Sequence, residues 1–369
     1  MKKTNFFRSF FLAATLALTS IGFTSCDDKN DVEPELPVEV RGPYDQKGVF
    51  VLNEGNYTHT NASVSFMSDS AGHTVANNIF SKANADRPLG DVLTDLDLVE
   101  DRAYITVNNS NKIEVVNAYT FKTEAVLENL KQPRYFAALD ADKAYVTEWV
   151  VYGEPGRVSV IDLKTMQITK SIPVGPQPEE LILVDSKLYV ANSGENTITV
   201  INTATDAVEN TITVSDSPTN LVLDRNKNLW VLSAGKVMYT SDWSAIDYTL
   251  TTAGALNRVT LTTQNVQTFT FDSNRTMPAN LAINGSGDKL YFNYDGKTLV
   301  QDINASSLSS TVIIDRSFHG MGVDPETGNI YGGDHNNWSG DGTVYVYSPD
   351  GTQVSSFKAG IGPNGFMFN

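Results

Sequence analysis

The stretch ELILVDSKLYVAN (residues 180–192) joins an apolar strand, a polar turn and a second strand that is led by an aromatic residue. The same order recurs in NLVLDRNKNLWVL (220–232) and in NLAINGSGDKLYFN (280–293). Short apolar and β-branched runs bounded by turn residues are typical of β-strands. A two-strand unit that returns along the chain indicates a repeat architecture.

The aromatic residue that leads the second strand gives a first count of the repeats. A third, alternating strand follows it, for example Ile198–Ile201, and a fourth closes the unit, as in NTITV (210–214). Four strands in a unit of roughly 40–50 residues predict an all-β fold, a seven-bladed β-propeller of four-stranded blades. The seven aromatic positions, spaced 54, 41, 44, 41, 61 and 40 residues apart, are Phe50, Tyr104, Tyr145, Tyr189, Trp230, Tyr291 and Tyr331.

A turn residue before each first strand gives a second count. The two counts are offset by one, because no such turn precedes Phe50 and no second strand follows Pro363. We therefore expect Phe366–Phe368 to be the innermost strand of the blade whose other three strands come from Val49–Phe80. Pairing of the two chain ends in one blade would close the ring and remove exposed sheet edges. The seven predicted turn residues are Pro88, Pro133, Pro178, Pro218, Pro278, Phe318 and Pro363.

The first 25 residues have the pattern of a secretory signal peptide. Three basic residues (Lys2, Lys3 and Arg8) accompany the apolar run Phe10–Ala17, which is too short to span a bilayer. The segment that follows is acidic and interrupted by prolines, so it has little to bury. The sequence therefore predicts a signal peptide over 1–25, a flexible acidic segment over 26–46 and the propeller over 47–369.

Cys26 follows a small residue, and this arrangement resembles a bacterial lipobox, in which the cysteine is lipidated and begins the mature protein. The alternative is an ordinary cleaved signal followed by a chance cysteine. The acidic residues directly after it, DDKND (27–31), resemble the surface-export signal of Bacteroides-type lipoproteins. The resemblance implies a protein on the cell surface, held to the outer membrane by its lipid anchor alone.

Composition excludes several classes of function. A single cysteine rules out a disulfide scaffold, a cysteine-based zinc site and dithiol redox chemistry. The chain has 27 Lys and Arg against 43 Asp and Glu, a formal net charge of −16. Such a surface repels phosphate backbones, so nucleic acid is not expected as a partner. The same charge argues against electrostatic binding to an anionic membrane.

The blade KLYVANSGENTITVIN (187–202) resembles the YVTN-type β-propeller repeat, and this resemblance extends over about residues 49–369. Together with the lipobox and the acidic segment, it resembles the cobalamin-capturing surface lipoproteins of Bacteroides, the BtuG type. That resemblance implies binding of cobalamin and transfer to a TonB-dependent outer-membrane transporter, with no cofactor and no metal of the protein's own. Apart from the transporter, we expect a monomer.

Two sets of loops should carry the function. In a four-stranded blade, the loops between the second and third strands and those between consecutive blades share one face, here called the mouth face. Aromatic residues are frequent in these loops and suggest a wide recognition surface. The alternative is that several of them fold back over the blades or cap the central channel.

Cobalamin has a flat corrin edged by amides, so a fitting site would combine aromatic planes with Asn, Arg and backbone groups. Three of the four histidines also fall on the mouth face; hydrogen bonding suits them better than ligation of cobalt. The residues predicted to bind ligand are Asn53, Tyr57, His59, Arg87, Asn108, Arg134, Tyr135, Trp149, Tyr152, Trp243, Arg275, Tyr294, Phe318, His319, His335 and Trp338.

The spacing of 61 residues between Trp230 and Tyr291 places an insertion, Ala234–Asn257, on the mouth face. This insertion contains Tyr239, Trp243 and Tyr248, and we expect it to form a flap over the central opening. The alternative is a surface hairpin that contacts only its own blade.

The sequence does not favour an enzyme. It contains no H-E-x-x-H, G-x-S-x-G or P-loop motif. A metal-dependent propeller lactonase is one alternative, with Glu54, Asn108, Asn192 and Asp334 as a conceivable ligand set. A propeller that binds glycan or protein is another, because sugars stack on the same aromatic rings as corrins do.

Overall fold

A computed structural model describes residues 41–70 and 72–369 of the protein. It contains seven antiparallel sheets of four strands each, and within each sheet the strands are arranged side by side from the central axis to the outer surface. The predicted all-β, seven-bladed propeller is confirmed. The predicted signal peptide and Cys26 lie outside the described residues. In the described part of the chain, no helix has both the length and the apolar character needed to cross a membrane.

Blade 1 combines strands from both ends of the chain, and blades 2, 3 and 4 follow in chain order. Blade 1 is made of β28 (Pro363–Phe368), β1 (Gly48–Asn53), β2 (Ser63–Ser68) and β3 (Val75–Ala76), followed by the short helix α1 (Ile79–Ala83). Blade 2 comprises β4 (Leu93–Val99), β5 (Arg102–Val107), β6 (Lys112–Asn117) and β7 (Thr123–Leu127). Blade 3 comprises β8 (Pro133–Ala138), β9 (Lys143–Glu148), β10 (Pro155–Asp162) and β11 (Gln167–Pro176). Blade 4 comprises β12 (Pro178–Val184), β13 (Lys187–Asn192), β14 (Thr197–Asn202) and β15 (Ala207–Thr213).

The remaining three blades follow in chain order. Blade 5 comprises β16 (Pro218–Leu223), β17 (Asn228–Ser233), β18 (Ala255–Thr260) and β19 (Asn265–Thr270). Blade 6 comprises β20 (Ala279–Ile283), β21 (Lys289–Tyr294), β22 (Lys297–Asp302) and β23 (Val312–Ile314). Blade 7 comprises β24 (Gly320–Val323), β25 (Ile330–Asp334), β26 (Thr343–Tyr347) and β27 (Gln353–Lys358).

The two chain ends pair within blade 1, as the offset between the two counts predicted. β28 runs antiparallel to β1, with Phe50 opposite Met367. The backbone N–H of Asn369 also donates to the carbonyl of Gly48 at 2.9 Å. The ring is therefore closed by hydrogen bonds between its first and last strands, and β28 covers the inner edge of β1.

The core consists of seven hydrophobic clusters, one at each interface between neighbouring blades. The aromatic residues of the second strands lie in these clusters; Trp230, Tyr145 and Phe50 are completely buried. Tyr104 stacks on Phe136 of the next blade, with ring centroids 4.8 Å apart. Burial of one such side chain contributes about 1.5–3 kcal/mol, so these residues hold blade to blade.

One predicted turn residue is displaced. Pro133 and Pro178 pair with the last residue of the neighbouring second strand, Glu148 and Asn192 respectively. In blade 2 the equivalent pair is formed by Leu93 with Val107, so Leu93 takes the place that the sequence assigned to Pro88.

Residues 41–46, assigned above to the flexible acidic segment, are packed on the propeller. The guanidinium of Arg41 lies 3.5 Å from the centre of the Tyr119 ring and pairs with Asp45 and Asp101. Tyr44 contacts the rings of Phe50, Phe66 and Phe121. The folded body thus begins at least as early as Arg41, on the face opposite the mouth face.

Candidate functional site

The mouth is the central opening of the mouth face, and each innermost strand supplies one residue at its rim and a second residue directly below it. In every blade these are the first and second residues after the position held by Pro178 in blade 4. The first positions, here called the mouth ring, are Thr94, Arg134, Glu179, Thr219, Ala279, His319 and Asn364. The second positions, here called the second ring, are Asp95, Tyr135, Glu180, Asn220, Asn280, Gly320 and Gly365.

Arg134 and Glu179 form an ion pair between neighbouring positions of the mouth ring. Nε and Nη2 of Arg134 donate to one carboxylate oxygen of Glu179 at 3.0 and 2.9 Å. Burial lowers the pKa of Arg134, but the charge and hydrogen bonds of Glu179, with contributions from Tyr135 and Glu54, together outweigh it and raise the net pKa. The guanidinium also lies 4.8 Å from the Trp149 ring, so a cation–π contact joins the pair to an indole.

A second cluster lies at the same mouth and combines His319, His335 and Trp338. The His335 and Trp338 rings are stacked, with centroids 4.9 Å apart and planes 17° apart. His319 meets both rings edge-on at 5.4 and 5.0 Å. Nε2 of His319 lies 2.9 Å from a carboxylate oxygen of Glu54, and about a quarter of each side chain is exposed.

The backbone around Trp338 fixes the position of its indole. Asn336, Asn337 and Trp338 all have positive φ angles, which is unusual for residues with side chains. A Cβ atom on Gly362 would lie 2.4 Å from the Trp338 ring, so the indole is packed directly on that glycine.

Two ring nitrogens at the mouth lack a partner among the described residues: Nε1 of Trp149 and Nδ1 of His335, both buried. Burial raises the pKa of Glu179, and the nearby Arg134 and Trp149 side chains only partly offset this; no contact of Trp149 Nε1 meets the distance and angle of a hydrogen bond. A buried polar atom without a partner is costly and is normally satisfied by water or by a ligand. The mouth therefore offers hydrogen-bonding capacity that the protein itself does not use.

The second ring links neighbouring blades below the mouth. The carboxylate of Glu180 accepts hydrogen bonds from the Asn220 amide at 2.9 Å and from the Leu221 backbone at 2.6 Å. The carboxylate of Asp95 accepts one from the Phe136 backbone at 2.8 Å. Burial raises the pKa of Glu180 to about 7 despite these hydrogen bonds, so the group titrates near neutral pH.

Six of the sixteen predicted ligand-binding residues come together at the mouth. Arg134 belongs to the mouth ring, and Tyr135, the next residue, belongs to the second ring. Trp149 lies beside Arg134, and the other three residues form the second cluster described above. The six residues are Arg134, Tyr135, Trp149, His319, His335 and Trp338.

Four predicted residues are highly exposed on mouth-face loops. Tyr57, Tyr152 and Trp243 keep 70%, 75% and 78% of their surface, so they are available to a partner but do not line a cavity. His59 is also exposed, and its Nδ1 lies 2.9 Å from the carbonyl of Tyr57.

Asn53 and Phe318 are corrections, because both are buried structural residues. The Asn53 amide donates to Ser65 at 2.9 Å, in the way that the equivalent Asn192 donates to Thr199 in blade 4. Phe318 packs in the core between blades 6 and 7 against Tyr347. Neither side chain can face a ligand at the mouth.

The hydrogen-bonding groups of three further predicted residues are engaged elsewhere in the structure. Arg87 forms a bidentate pair with the buried carboxylate of Glu114, away from the mouth, because that carboxylate needs a counter-charge. The Asn108 amide donates to the carbonyl of Pro133, and the Tyr294 hydroxyl accepts from the backbone of Ser273. These contacts hold loops and blades together, and the binding roles of the three residues stay predictions.

The insertion covers Ala234–Gly254, three residues shorter than predicted, because β18 begins at Ala255. It contacts the inter-blade loops on both sides: Thr252 donates to Asp216, and Asn274 donates to the carbonyl of Tyr248. Arg275, a predicted ligand-binding residue, instead stacks on Tyr248 at 3.9 Å. These contacts fix the root of the insertion beside blade 5.

Glu179, Glu180 and Asp95 are site residues that sequence reasoning missed. Glu179 and Glu180 lie in a loop that the prediction placed on the mouth face, but it gave them no binding role, and it did not consider Asp95, two residues after Leu93. The recurring turn position was the available signal, because the next two residues of an innermost strand reach the axis in every blade.

The residues of the lactonase alternative are spread among separate structural contacts. Asn192 is fully buried and donates to Thr197 and Thr199, and Asp334 pairs with Arg316 at 2.9 Å. Within residues 41–70 and 72–369, His, Cys, Asp and Glu side chains do not gather in groups of three that could hold a metal ion.

A surface concavity lies at the outer edge of blade 6. It is an open groove of about 630 Å³ beside the short strand β23, lined among others by Ile313, Arg316 and Tyr347. The guanidinium of Arg316 in this groove is already paired with Asp334.

Solved structures similar to the chain share the propeller fold at low sequence identity. A quinonprotein alcohol dehydrogenase-like protein from Bacteroides thetaiotaomicron is 14% identical, with a TM-score of 0.62, and the match covers 88% of this chain and 78% of that one. A functionally unknown protein from Desulfotomaculum acetoxidans is 13% identical (TM-score 0.63; 88% and 99% covered). The periplasmic gluconolactonase of Pseudomonas aeruginosa is also 13% identical (TM-score 0.62; 87% and 99% covered).

These likenesses establish the fold alone, because the same propeller carries unrelated functions. No curated protein matches the chain. One sequence family does match, over residues 47–362, which is nearly the whole propeller. The chain therefore belongs to the family described as "Domain of unknown function (DUF5074)".

Proposed function

We propose that this protein captures cobalamin at the mouth of the propeller and passes it to a TonB-dependent outer-membrane transporter. The observation that carries the proposal is a pair of aromatic clusters on the mouth face: Trp149 beside Arg134 in blade 3, and His319, His335 and Trp338 in blade 7. Flat aromatic faces suit the corrin and its methyl groups, because planar apolar surfaces gain most from stacking.

The polar groups at the same opening suit the edge of a corrin. Its amides need donors and acceptors, and the unpartnered nitrogens of Trp149 and His335 supply some of them. Asn364 adds a buried side-chain oxygen that also lacks a partner among the described residues. In this proposal the chain is a binding protein, cobalamin is its cargo, and Cys26 anchors it to the cell surface.

Titration of the purified protein with cyanocobalamin tests the proposal. We expect saturable quenching of tryptophan fluorescence together with a change in the corrin absorbance at micromolar protein. The absence of both signals, with binding to glycans instead, would replace cobalamin by the alternative that the aromatic surface allows.

A further inference from the structure

The charge of the mouth limits the ligands that it can hold. Glu54 and Glu179 lie at the opening, and Asp95 and Glu180 lie one ring below, so four carboxyl groups surround one guanidinium, that of Arg134. A second guanidinium near His335, that of Arg316, is paired with Asp334. Even though Glu180 has a pKa of about 7, the other three carboxyl groups outnumber the guanidinium, so the mouth carries an excess of negative groups.

These groups act on one another electrostatically. Arg134 has its pKa raised mainly by Glu179, against the effect of burial, and the charge of Glu54 contributes as well. The pKa of Glu180 is raised first by burial and then by the charges of Asp95 and Glu179. Such mutual effects require separations at which a ligand seated among the groups would also feel their summed field.

The field is not cancelled by the rest of the molecule, since the whole chain has a formal net charge of −16. A mouth of low dielectric concentrates this potential. A ligand that brings a positive charge gains Coulomb energy there, a neutral one gains nothing from it, and an anionic one is repelled.

We propose that the mouth selects corrinoids by charge and binds the cationic form of cobalamin in preference to the neutral form. This inference rests on the proposed function. Aquocobalamin, whose cobalt(III) carries water on its upper face, has one more positive charge than cyanocobalamin, whose cyanide neutralises it. The two ligands share the corrin, the amides and the nucleotide tail, so their comparison isolates the charge.

Glu54 is the group on which the selection is tested. Its side chain is 27% exposed at the opening and touches His319, so replacement by glutamine removes the charge and keeps an acceptor for the imidazole. Glu326→Gln is the matched control, because this glutamate is exposed on the opposite face, where it pairs with Lys47.

The experiment measures the Kd of both cobalamins for the wild type, Glu54→Gln and Glu326→Gln at low and high salt. We expect aquocobalamin to bind the wild type about tenfold more tightly at low salt, a preference of roughly threefold or less in Glu54→Gln, and no change in Glu326→Gln. Salt should reduce the preference by screening.

The possible results separate this inference from the proposed function. Equal affinity for the two ligands, or a preference unaffected by both Glu54→Gln and salt, overturns charge selection while cobalamin capture stands. The second pattern would indicate ligation of cobalt by a histidine, since Glu54→Gln keeps both imidazoles. Binding of neither cobalamin overturns the proposed function and this inference with it.

Discussion

Met367 lies directly opposite Phe50 in one antiparallel pair, although the two residues come from opposite ends of the chain. This pair places the last strand on the axis and the first strand beside it. Every blade then packs against a neighbouring blade on each side, and the innermost strands form a closed ring around the mouth.

Removal of residues 363–369 should therefore destabilise the whole ring. The deletion takes away β28, exposes the inner edge of β1 and removes Phe366 and Phe368 from the cluster with Tyr331. We expect a loss of several kcal/mol of unfolding free energy or failure to fold, since large apolar side chains and a full ladder of hydrogen bonds are lost.

Thermal unfolding followed by circular dichroism, together with the oligomeric state, checks this effect. Val354→Ser serves as the control, because Val354 is exposed on the outermost strand of blade 7 and takes no part in the closure. A truncated protein with the melting temperature of the full chain would contradict closure by β28.

Tyr145→Phe tests a hydrogen bond between blades 3 and 4. The Tyr145 hydroxyl donates to Asp206 at 2.7 Å, and the ring itself is completely buried. We expect the substitution to lower the unfolding free energy by about 1–2 kcal/mol, because the carboxylate loses a donor while the packing is kept. Urea denaturation provides the measurement.

Tyr189→Phe is the matched control for that substitution, because Tyr189 occupies the equivalent position in the next blade and packs in the neighbouring cluster. Its loss of stability should be smaller. Equal losses would mean that the contact with Asp206 contributes little.

Glu180→Gln should change the dependence of stability on pH. Burial raises the pKa of Glu180 in the folded protein from 4.5 to about 7. Between these values the folded state binds more protons than the unfolded state, so this group lowers stability as pH rises from about 5 to 8. Glutamine cannot ionise, and its carbonyl still accepts from Leu221.

The variant should therefore gain about 1–3 kcal/mol relative to the wild type at pH 8, with a smaller difference at pH 5. Chemical denaturation at the two pH values gives both numbers. A difference that is the same at pH 5 and pH 8 would show that Glu180 does not titrate in this range.

Trp149→Ala and Trp338→Ala should each weaken binding of cyanocobalamin by about 1–3 kcal/mol, as expected for an aromatic anchor at an interface. Trp243→Ala is the control, because its indole is 78% exposed on the insertion and stacks only on Tyr239 among the rings described. Isothermal titration calorimetry measures all three. Unaltered affinity in both mouth variants would place the ligand elsewhere.

The fold could be read from the sequence because its determinants repeat. The aromatic residue of each second strand, such as Trp230, is buried between blades and must recur wherever a blade recurs. The closure also followed from counting, since the turn at Pro363 leads into a strand that has no other partner.

The site was predicted less well because its geometry depends on contacts between blades. Arg134 meets Glu179, and Glu54 meets His319, only through the order of blades around the axis. Asn53 was misassigned for a related reason, because its buried amide is satisfied by the hydroxyl of Ser65 on the neighbouring strand. An asparagine at the equivalent position of blade 4, Asn192, makes the same kind of contact, and this recurrence could have indicated a structural role.

The central claim is that one ligand site lies at the mouth, between Trp149 and Trp338. A crystal structure of the protein soaked or grown with cyanocobalamin tests it most directly. We expect the corrin to cover the stacked rings of His335 and Trp338, with its amides within hydrogen-bond distance of Arg134 or of the free ring nitrogens. Density for the corrin in the groove beside β23, on the insertion alone, or nowhere on the protein would contradict the claim.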